Sequence, residues 1–160
     1  KFGRMIVKNE SELFSTKPLN KLALDANDPT FTKETLHIRL KGRKIPIKEA
    51  LLNQEIIAGL GNIYVDEVLF ASRISPLREA CDVSCTECGI ILEESRKILN
   101  KAISYKGTTI RSYTSSLGVI GEFQNFLCVH TKEICPICKG EITKTRISGR
   151  GTYYCARCQK

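Results

Sequence analysis

The chain has 160 residues, of which 42% are hydrophobic and 26% charged, and its formal net charge is +8. This composition is typical of a globular protein and excludes a disordered or fibrous chain, and no apolar run is long enough to span a membrane. No secretory signal opens the sequence, which starts at Lys1. We therefore expect a piece of a longer, non-secreted polypeptide.

Charge is distributed unevenly along the chain. Residues 1–48 hold 11 basic and 5 acidic side chains, residues 49–130 hold 7 and 10, and residues 131–160 hold 7 and 2. Two basic ends that flank an acidic middle favour a polyanionic partner that contacts the ends. A solvated surface of mixed charge is the alternative that the composition leaves open.

The first thirty residues contain few signals of regular structure. Residues 1–8 alternate like a β-strand without a partner strand, and residues 9–30 hold two prolines and several Asn and Asp residues, which is typical of a linker. A helix of about ten residues is predicted from Thr30 onward. A basic run follows it, at Arg39, Lys41, Arg43, Lys44 and Lys48.

Two amphipathic helices are predicted around a glycine-containing turn. Apolar positions recur at helical spacing over residues 47–58 and again over residues 63–72, with Gly59, Gly61 and Asn62 between them. The glycines allow positive φ, and Asn62 is expected at the N-cap of the second helix. Because free amides and the helix dipole favour an anion there, a phosphate site is one interpretation. A plain helical hairpin that Asn62 merely caps is the other.

A longer helix is predicted over residues 84–105, where Ser84 and Glu87 form a capping box. A short helix is expected near residues 110–116. Four cysteines occur in this part of the chain, and their role is open: Cys81, Cys85, Cys88 and Cys128. Helical periodicity favours small buried residues at Cys85 and Cys88, whereas a second zinc site made of the four thiols is the alternative.

The strongest pattern lies near the C-terminus, where sixteen residues separate two Cys-x-x-Cys pairs: Cys135, Cys138, Cys155 and Cys158. Such pairs supply four thiolates to a tetrahedral zinc ion, and residues 141–154 read as a β-hairpin with its turn at 148–151. Disulfides or a redox dithiol are the alternative. Because about thirty residues bury little apolar surface, one structural Zn²⁺ would supply most of this module's folding free energy.

Two motifs together resemble bacterial formamidopyrimidine-DNA glycosylases. The string LLNQEIIAGLGNIYVDEVLF at residues 51–70 is similar to the helix–two-turn–helix of that family, and SGRGTYYCARCQK at 148–160 is similar to its zinc finger. The resemblance implies an α+β, mainly helical fold with a remnant strand at the N-terminus. The implied parts are a β-sandwich remnant (1–15), a linker (16–30), a helix–two-turn–helix DNA-binding domain (31–122) and a zinc-finger module (123–160).

The resemblance also implies a function. Members of the family remove oxidised purines, such as 8-oxoguanine and formamidopyrimidines, and then cleave the DNA strand through an N-terminal proline nucleophile. Damaged double-stranded DNA is thus the implied partner, and the implied protein is a cytoplasmic, nucleoid-associated bacterial monomer with no membrane contact. None of the 160 residues matches the proline, so we expect these residues alone to be inactive. A non-catalytic nucleic-acid-binding adaptor built from the same modules is the alternative.

Site residues are implied by the same resemblance. Arg150, in the turn of the finger, matches an arginine that grips phosphates beside the flipped nucleotide and is assigned as proton donor in the second elimination. Further DNA contacts are implied at five positions, of which the last matches an aromatic wedge that fills the duplex: Arg43, Lys44, Lys48, Asn62 and Phe2.

Overall fold

The computed structural model describes residues 6–7, 9–17, 19–108 and 121–160. Most of the predicted first strand, the proposed wedge Phe2 and the short helix expected near residues 110–116 lie outside these ranges. In the part that is described, no helix is both long and apolar enough to cross a lipid bilayer.

Helices dominate the described part of the chain, and a single hairpin follows them. The helices are α1 (Lys33–Leu40), α2 (Ile47–Leu52), α3 (Asn62–Ala71) and α4 (Cys85–Ser104), and the strands are β1 (Thr143–Ile147) and β2 (Arg150–Tyr154). Short 3₁₀ turns occur at Glu10–Glu12, Leu19–Lys21, Ala80–Asp82 and Phe123–Phe126. The α+β, mainly helical fold is confirmed.

The main core lies where α4 packs against α1 and α3. Its buried side chains come from all four helices and include Leu36, Leu40, Leu51, Val65, Val68, Leu69, Ile91 and Leu92. A second, smaller cluster joins α3 to the finger, because Phe70 packs with Val129 and with two of the zinc-motif cysteines, Cys135 and Cys155. Apolar burial therefore links the helical body to the C-terminal module.

The capping box predicted for α4 is present. The Ser84 hydroxyl accepts a hydrogen bond from the Glu87 amide (3.2 Å), and a Glu87 carboxylate oxygen accepts one from the Ser84 amide (2.8 Å). The Arg78 guanidinium pairs with the same carboxylate and holds the pKa of Glu87 at about 2. This carboxylate thus fixes the first turn of α4 to the preceding loop.

The helix predicted over residues 47–58 is wrong in its second half, since α2 ends at Leu52. The Asn53 side chain accepts from the Glu55 amide (2.9 Å) and turns the chain, and Ala58 then forms a parallel bridge with Asp25. The apolar residues that suggested a longer helix, Ile56 and Ile57, are buried from this turn. The spacing of apolar residues therefore predicted correctly that these side chains are buried, but it did not predict the turn conformation that buries them.

The segment predicted as a linker takes part in the fold. Ala26 and Phe31 are buried in the helical core, and the Ala26 amide donates to the carbonyl of Ala58 (2.9 Å). The Arg96 guanidinium of α4 donates to the carbonyls of Asp28 and Phe31 (2.9 and 2.8 Å). Residues 25–31 are therefore anchored to both the α2–α3 turn and α4.

Only the first glycine of the α2–α3 turn is required by the fold. Gly59 has φ +86°, and a Cβ built there would lie 2.3 Å from a carboxylate oxygen of Asp25. Gly61 has φ −107°, and a Cβ there would meet no atom within 4 Å. Gly61 is also the N-cap of α3, so Asn62 is the first helical residue and not the cap that the sequence predicted.

Replacing these two glycines by alanine should separate their roles. Gly59→Ala forces a side chain into positive φ and against Asp25, and we expect a loss of about 2 kcal/mol in the free energy of unfolding. Gly61→Ala should change it by less than about 0.5 kcal/mol. Urea unfolding of the zinc-loaded chain measures both. Equal unfolding midpoints for the two variants would contradict this account of the turn.

Candidate nucleic-acid interface and zinc site

The four motif cysteines come together as one cluster of thiols. Their Sγ atoms all lie within 4.8 Å of one another, with Cys135 and Cys158 at 3.8 Å and Cys138 and Cys155 at 3.4 Å. A tetrahedral zinc ion with Zn–S bonds of about 2.3 Å requires S···S distances of about 3.8 Å. The cluster therefore fits one structural Zn²⁺.

Backbone bonds support both halves of this cluster. The Cys135 amide donates to the carbonyl of Gly140 (2.8 Å), which closes the first Cys-x-x-Cys turn. In the second turn the Cys155 amide donates to the side chain of Gln159 (2.8 Å), whose own amide group donates to the carbonyl of Ile74 (2.9 Å). The second turn is thus tied to the loop that follows α3.

The remaining four cysteines do not come together as the four-thiol zinc site that the sequence left open. Cys88 is fully buried in the helical core, and burial raises the pKa of its thiol to about 12. The Cys81 thiol lies beside the carboxylates of Glu79 and Asp82, and that of Cys128 lies near the carbonyl of Phe126. Neither disulfides nor a four-thiol cluster involve these residues, so the core interpretation is confirmed for Cys88, whereas Cys85 is only half-buried.

A tight turn presents Arg150 at the tip of the finger. Ser148 and Gly149 have φ +48° and +77°, as a two-residue type I′ turn requires, and they join Ile147 directly to its partner Arg150. The returning strand consequently starts two residues earlier than predicted. The Arg150 side chain is exposed, while the Ser148 hydroxyl donates to the Glu49 carboxylate on α2.

The start of α3 touches this hairpin. The Asn62 side-chain amide donates to the carbonyl of Gly151 (3.0 Å), which is the residue after Arg150. The other side-chain atom of Asn62, the Oδ1 oxygen, is buried without a hydrogen-bond partner. Two residues that are 88 positions apart in the sequence, Asn62 and Arg150, are thereby brought to the same edge of the molecule.

Lys48 is not on this surface, contrary to the phosphate contact that the sequence comparison implied. Its side chain is fully buried, and its Nζ donates to the Asp66 carboxylate (2.7 Å) and to the Gly151 carbonyl (2.8 Å). Burial lowers the pKa of the Lys48 ammonium, and the Asp66 charge opposes that shift. The ammonium faces the hairpin backbone and not solvent, so Lys48 joins α2 to α3 and to the hairpin inside the protein.

The two other predicted cations lie in the loop between α1 and α2. Arg43 and Lys44 are both exposed, and the Arg43 Nε donates to the carbonyl of Arg39 (2.7 Å). In the ranges that the structure covers, no hydrogen bond joins either side chain to Asn62 or Arg150. They are available to a partner, but the structure does not bring them into contact with the other predicted residues.

Two acidic residues that the sequence analysis missed hold the finger on α3. One Asp66 oxygen accepts from His130 Nδ1 (2.7 Å) and from the Tyr153 amide (3.3 Å), while the other accepts from Lys48. Glu67 accepts from three consecutive backbone amides, at 2.7 to 2.9 Å: Cys128, Val129 and His130. Both side chains are nearly inaccessible to solvent. The signal in the sequence was an acidic pair inside an apolar helix, which requires buried partners.

Comparison with known proteins decides what this arrangement belongs to. A family model described as the formamidopyrimidine-DNA glycosylase H2TH domain matches residues 22–114, and one described as a zinc finger found in FPG and IleRS matches residues 132–160. The chain belongs to the formamidopyrimidine-DNA glycosylase family. The second match agrees with the geometry of the cysteine cluster and identifies Zn²⁺ as the cofactor.

Relatives and solved structures of the same family match along nearly the whole chain. The formamidopyrimidine-DNA glycosylases of Ureaplasma parvum and of an Exiguobacterium species are 42% and 44% identical to it over 99% and 100% of its length. The chain spans 58–59% of the length of these two relatives.

The fold agrees equally well with crystal structures of the family. The MutM (Fpg) protein of Thermus thermophilus superposes with a TM-score of 0.87 at 32% identity, covering 96% of this chain and 59% of that one. Lactococcus lactis Fpg, solved in complex with DNA that contains an abasic site, gives 0.86 at 35% identity and covers 94% and 56%.

Removal of the metal should unfold the finger and leave the helical body folded. Cys138→Ser should abolish binding of the single zinc ion, because three thiolates leave the tetrahedron incomplete. Cys85→Ser, which changes a half-buried cysteine outside the cluster, should retain one zinc per chain. Zinc content by mass spectrometry measures this, together with far-UV circular dichroism for helix content. Full zinc retention in Cys138→Ser would contradict the assignment.

Proposed function

We propose that this chain is the DNA-binding C-terminal part of a base-excision-repair glycosylase and abasic-site lyase that removes oxidised purines. Its partner is damaged double-stranded DNA. The observation that carries this proposal is the hydrogen bond from Asn62 to the Gly151 carbonyl, which joins the start of α3 to the Arg150 turn. A helix N-terminus and an exposed arginine at one edge can together hold a DNA backbone.

The chemistry of this edge suits phosphate. The first amides of α3 have no partners within the helix, and its dipole favours negative charge at that end. Gly61 leaves open space in front of them, so a phosphate can approach the backbone closely. Arg150, whose neighbour Gly151 accepts a hydrogen bond from Asn62, adds a permanent charge and a planar set of donors at this edge.

The remaining assignments extend the contact along the DNA. Arg43 and Lys44, in the α1–α2 loop, contact the phosphates of the DNA backbone. Phe2 acts as the wedge that fills the duplex where the damaged base leaves the stack. Arg150 also serves as the proton donor of the second elimination. The chain works as a monomer in the bacterial cytoplasm, in association with the nucleoid.

The 160 residues alone bind DNA without releasing a base. The family's nucleophile is an N-terminal proline, and no residue of this chain matches it. A mutant of Lactococcus lactis Fpg has been solved in complex with DNA that contains Fapy-dG, which supports the same substrate class for the whole protein here.

Binding of an 8-oxoguanine duplex by the zinc-loaded chain tests this proposal. Arg150→Ala should weaken affinity about tenfold or more and reduce the slope of log Kd against log salt by about one, because one phosphate contact is lost. Arg157→Ala is the matched control, since it removes the same charge from the zinc-turn end of the finger. Fluorescence anisotropy at several salt concentrations measures both variants.

Two outcomes of that assay would count against the proposal. Equal effects of Arg150→Ala and Arg157→Ala, or no dependence on salt, would mean that the turn does not hold DNA. Release of 8-oxoguanine by the 160-residue chain, detected by gel electrophoresis after alkaline cleavage, would refute its inactivity.

A further inference from the structure

We infer that Asp66 is a positioning residue for Arg150, acting through the buried ammonium of Lys48 and the carbonyl of Gly151. This inference rests on the proposed function and adds to it the device that holds the arginine in place. Neither Asp66 nor Lys48 needs to touch DNA for this role. Both side chains are fully inaccessible to solvent.

The path from Asp66 to the hairpin is short and continuous. Asp66 Oδ1 accepts from Lys48 Nζ at 2.7 Å, and the same ammonium donates to the Gly151 carbonyl at 2.8 Å. That carbonyl accepts a second bond from Asn62 at 3.0 Å. The peptide group that joins Gly151 to Thr152, one residue beyond Arg150, is thus held by two donors, one of them charged.

Asp66 also contacts the hairpin at a second position on β2 and contacts the segment that precedes the finger. Its Oδ2 oxygen accepts from the Tyr153 amide at 3.3 Å and from His130 Nδ1 at 2.7 Å, and the His130 ring packs edge-on against the Tyr153 ring. One carboxylate therefore contacts β2 directly, through Tyr153, and indirectly, through Lys48 and Gly151. Two points along a five-residue strand define its direction on α3.

Charge is what makes this carboxylate difficult to replace. Because both side chains are inaccessible to solvent, the Lys48 ammonium is stable where it lies only while Asp66 compensates its charge, and removal of one partner leaves the other uncompensated. An amide at position 66 keeps the shape of the side chain but cannot neutralise Lys48. The ammonium would then move toward solvent and release the Gly151 carbonyl, so that the Arg150 turn would lose its fixed position.

Glu67 provides an internal control, because it is a buried carboxylate on the same helix with a different task. Its oxygens bind the amides of Cys128, Val129 and His130, which precede the finger, and not the hairpin. Glu67→Gln should loosen the segment at residues 128–130 and leave the Asp66 and Lys48 contacts with the hairpin in place. Only Asp66→Asn should act specifically through Arg150.

A double-mutant cycle on the zinc-loaded chain tests the inference, with the 8-oxoguanine duplex as probe. Asp66→Asn should weaken binding about tenfold in the wild-type background and less than twofold in the Arg150→Ala background, because the contact it positions is already absent. Glu67→Gln should have the same effect in both backgrounds. Zinc content and thermal unfolding of every variant are recorded alongside affinity.

The outcomes of this cycle distinguish a failure of the positioning role from a failure of the proposed function. Equal losses from Asp66→Asn in both backgrounds, or unchanged affinity in a zinc-loaded Asp66→Asn chain, overturn the positioning role and leave the proposed function intact. No effect of Arg150→Ala overturns the proposed function, and this inference with it. If Asp66→Asn does not retain zinc, the double variant Lys48→Met with Asp66→Asn removes both buried charges together, and the same non-additivity with Arg150→Ala is expected.

Discussion

Asp66 and Glu67 bring two carboxylates into the buried middle of α3, where their neighbours Val65, Val68, Leu69 and Phe70 are apolar. Desolvation of a carboxylate is costly unless its oxygens are paired, and here three hydrogen bonds reach each side chain from outside the helix. Five of those six donors belong to residues 128–153, so the finger and the segment before it are what satisfy these charges. These two carboxylates have their full set of hydrogen-bond partners only when the finger and the segment before it are docked on α3.

This constraint explains why two small modules behave as one surface. Zinc fixes the local structure of the finger, because so short a segment has little core of its own. The metal does not determine where the finger points. Its direction follows from the contacts that Asp66 makes with β2 and from the apolar cluster around Phe70, and this direction brings the Arg150 turn beside Asn62. The proposed grip on DNA depends on that relative placement.

The sequence predicted those features that short-range rules determine. The capping box of α4, the burial of Cys88 and the four zinc ligands follow from spacing alone, and all three are confirmed. The end of α2 at Leu52 did not follow, because Ile56 and Ile57 continue the helical pattern while Asn53 turns the chain.

The direction in which a charged side chain points was the second feature that the sequence could not predict. Lys48 lies in a basic run and was expected at the surface, but its partner Asp66 is 18 residues further on and its second partner, Gly151, comes from the finger. Only the docking of distant segments determines whether such a lysine faces solvent or a carboxylate. The acidic pair on α3 was the one clue, since two charges in an apolar string imply partners elsewhere in the chain.

The most direct test of this account is amide hydrogen exchange at the residues that Glu67 binds. In the zinc-loaded chain, the amides of Cys128, Val129 and His130 should exchange far more slowly than those of an open loop, because they are released only when this segment separates from α3. Exchange of these three amides at the rate of an open loop, while α3 remains protected, would show that its carboxylates do not hold the finger.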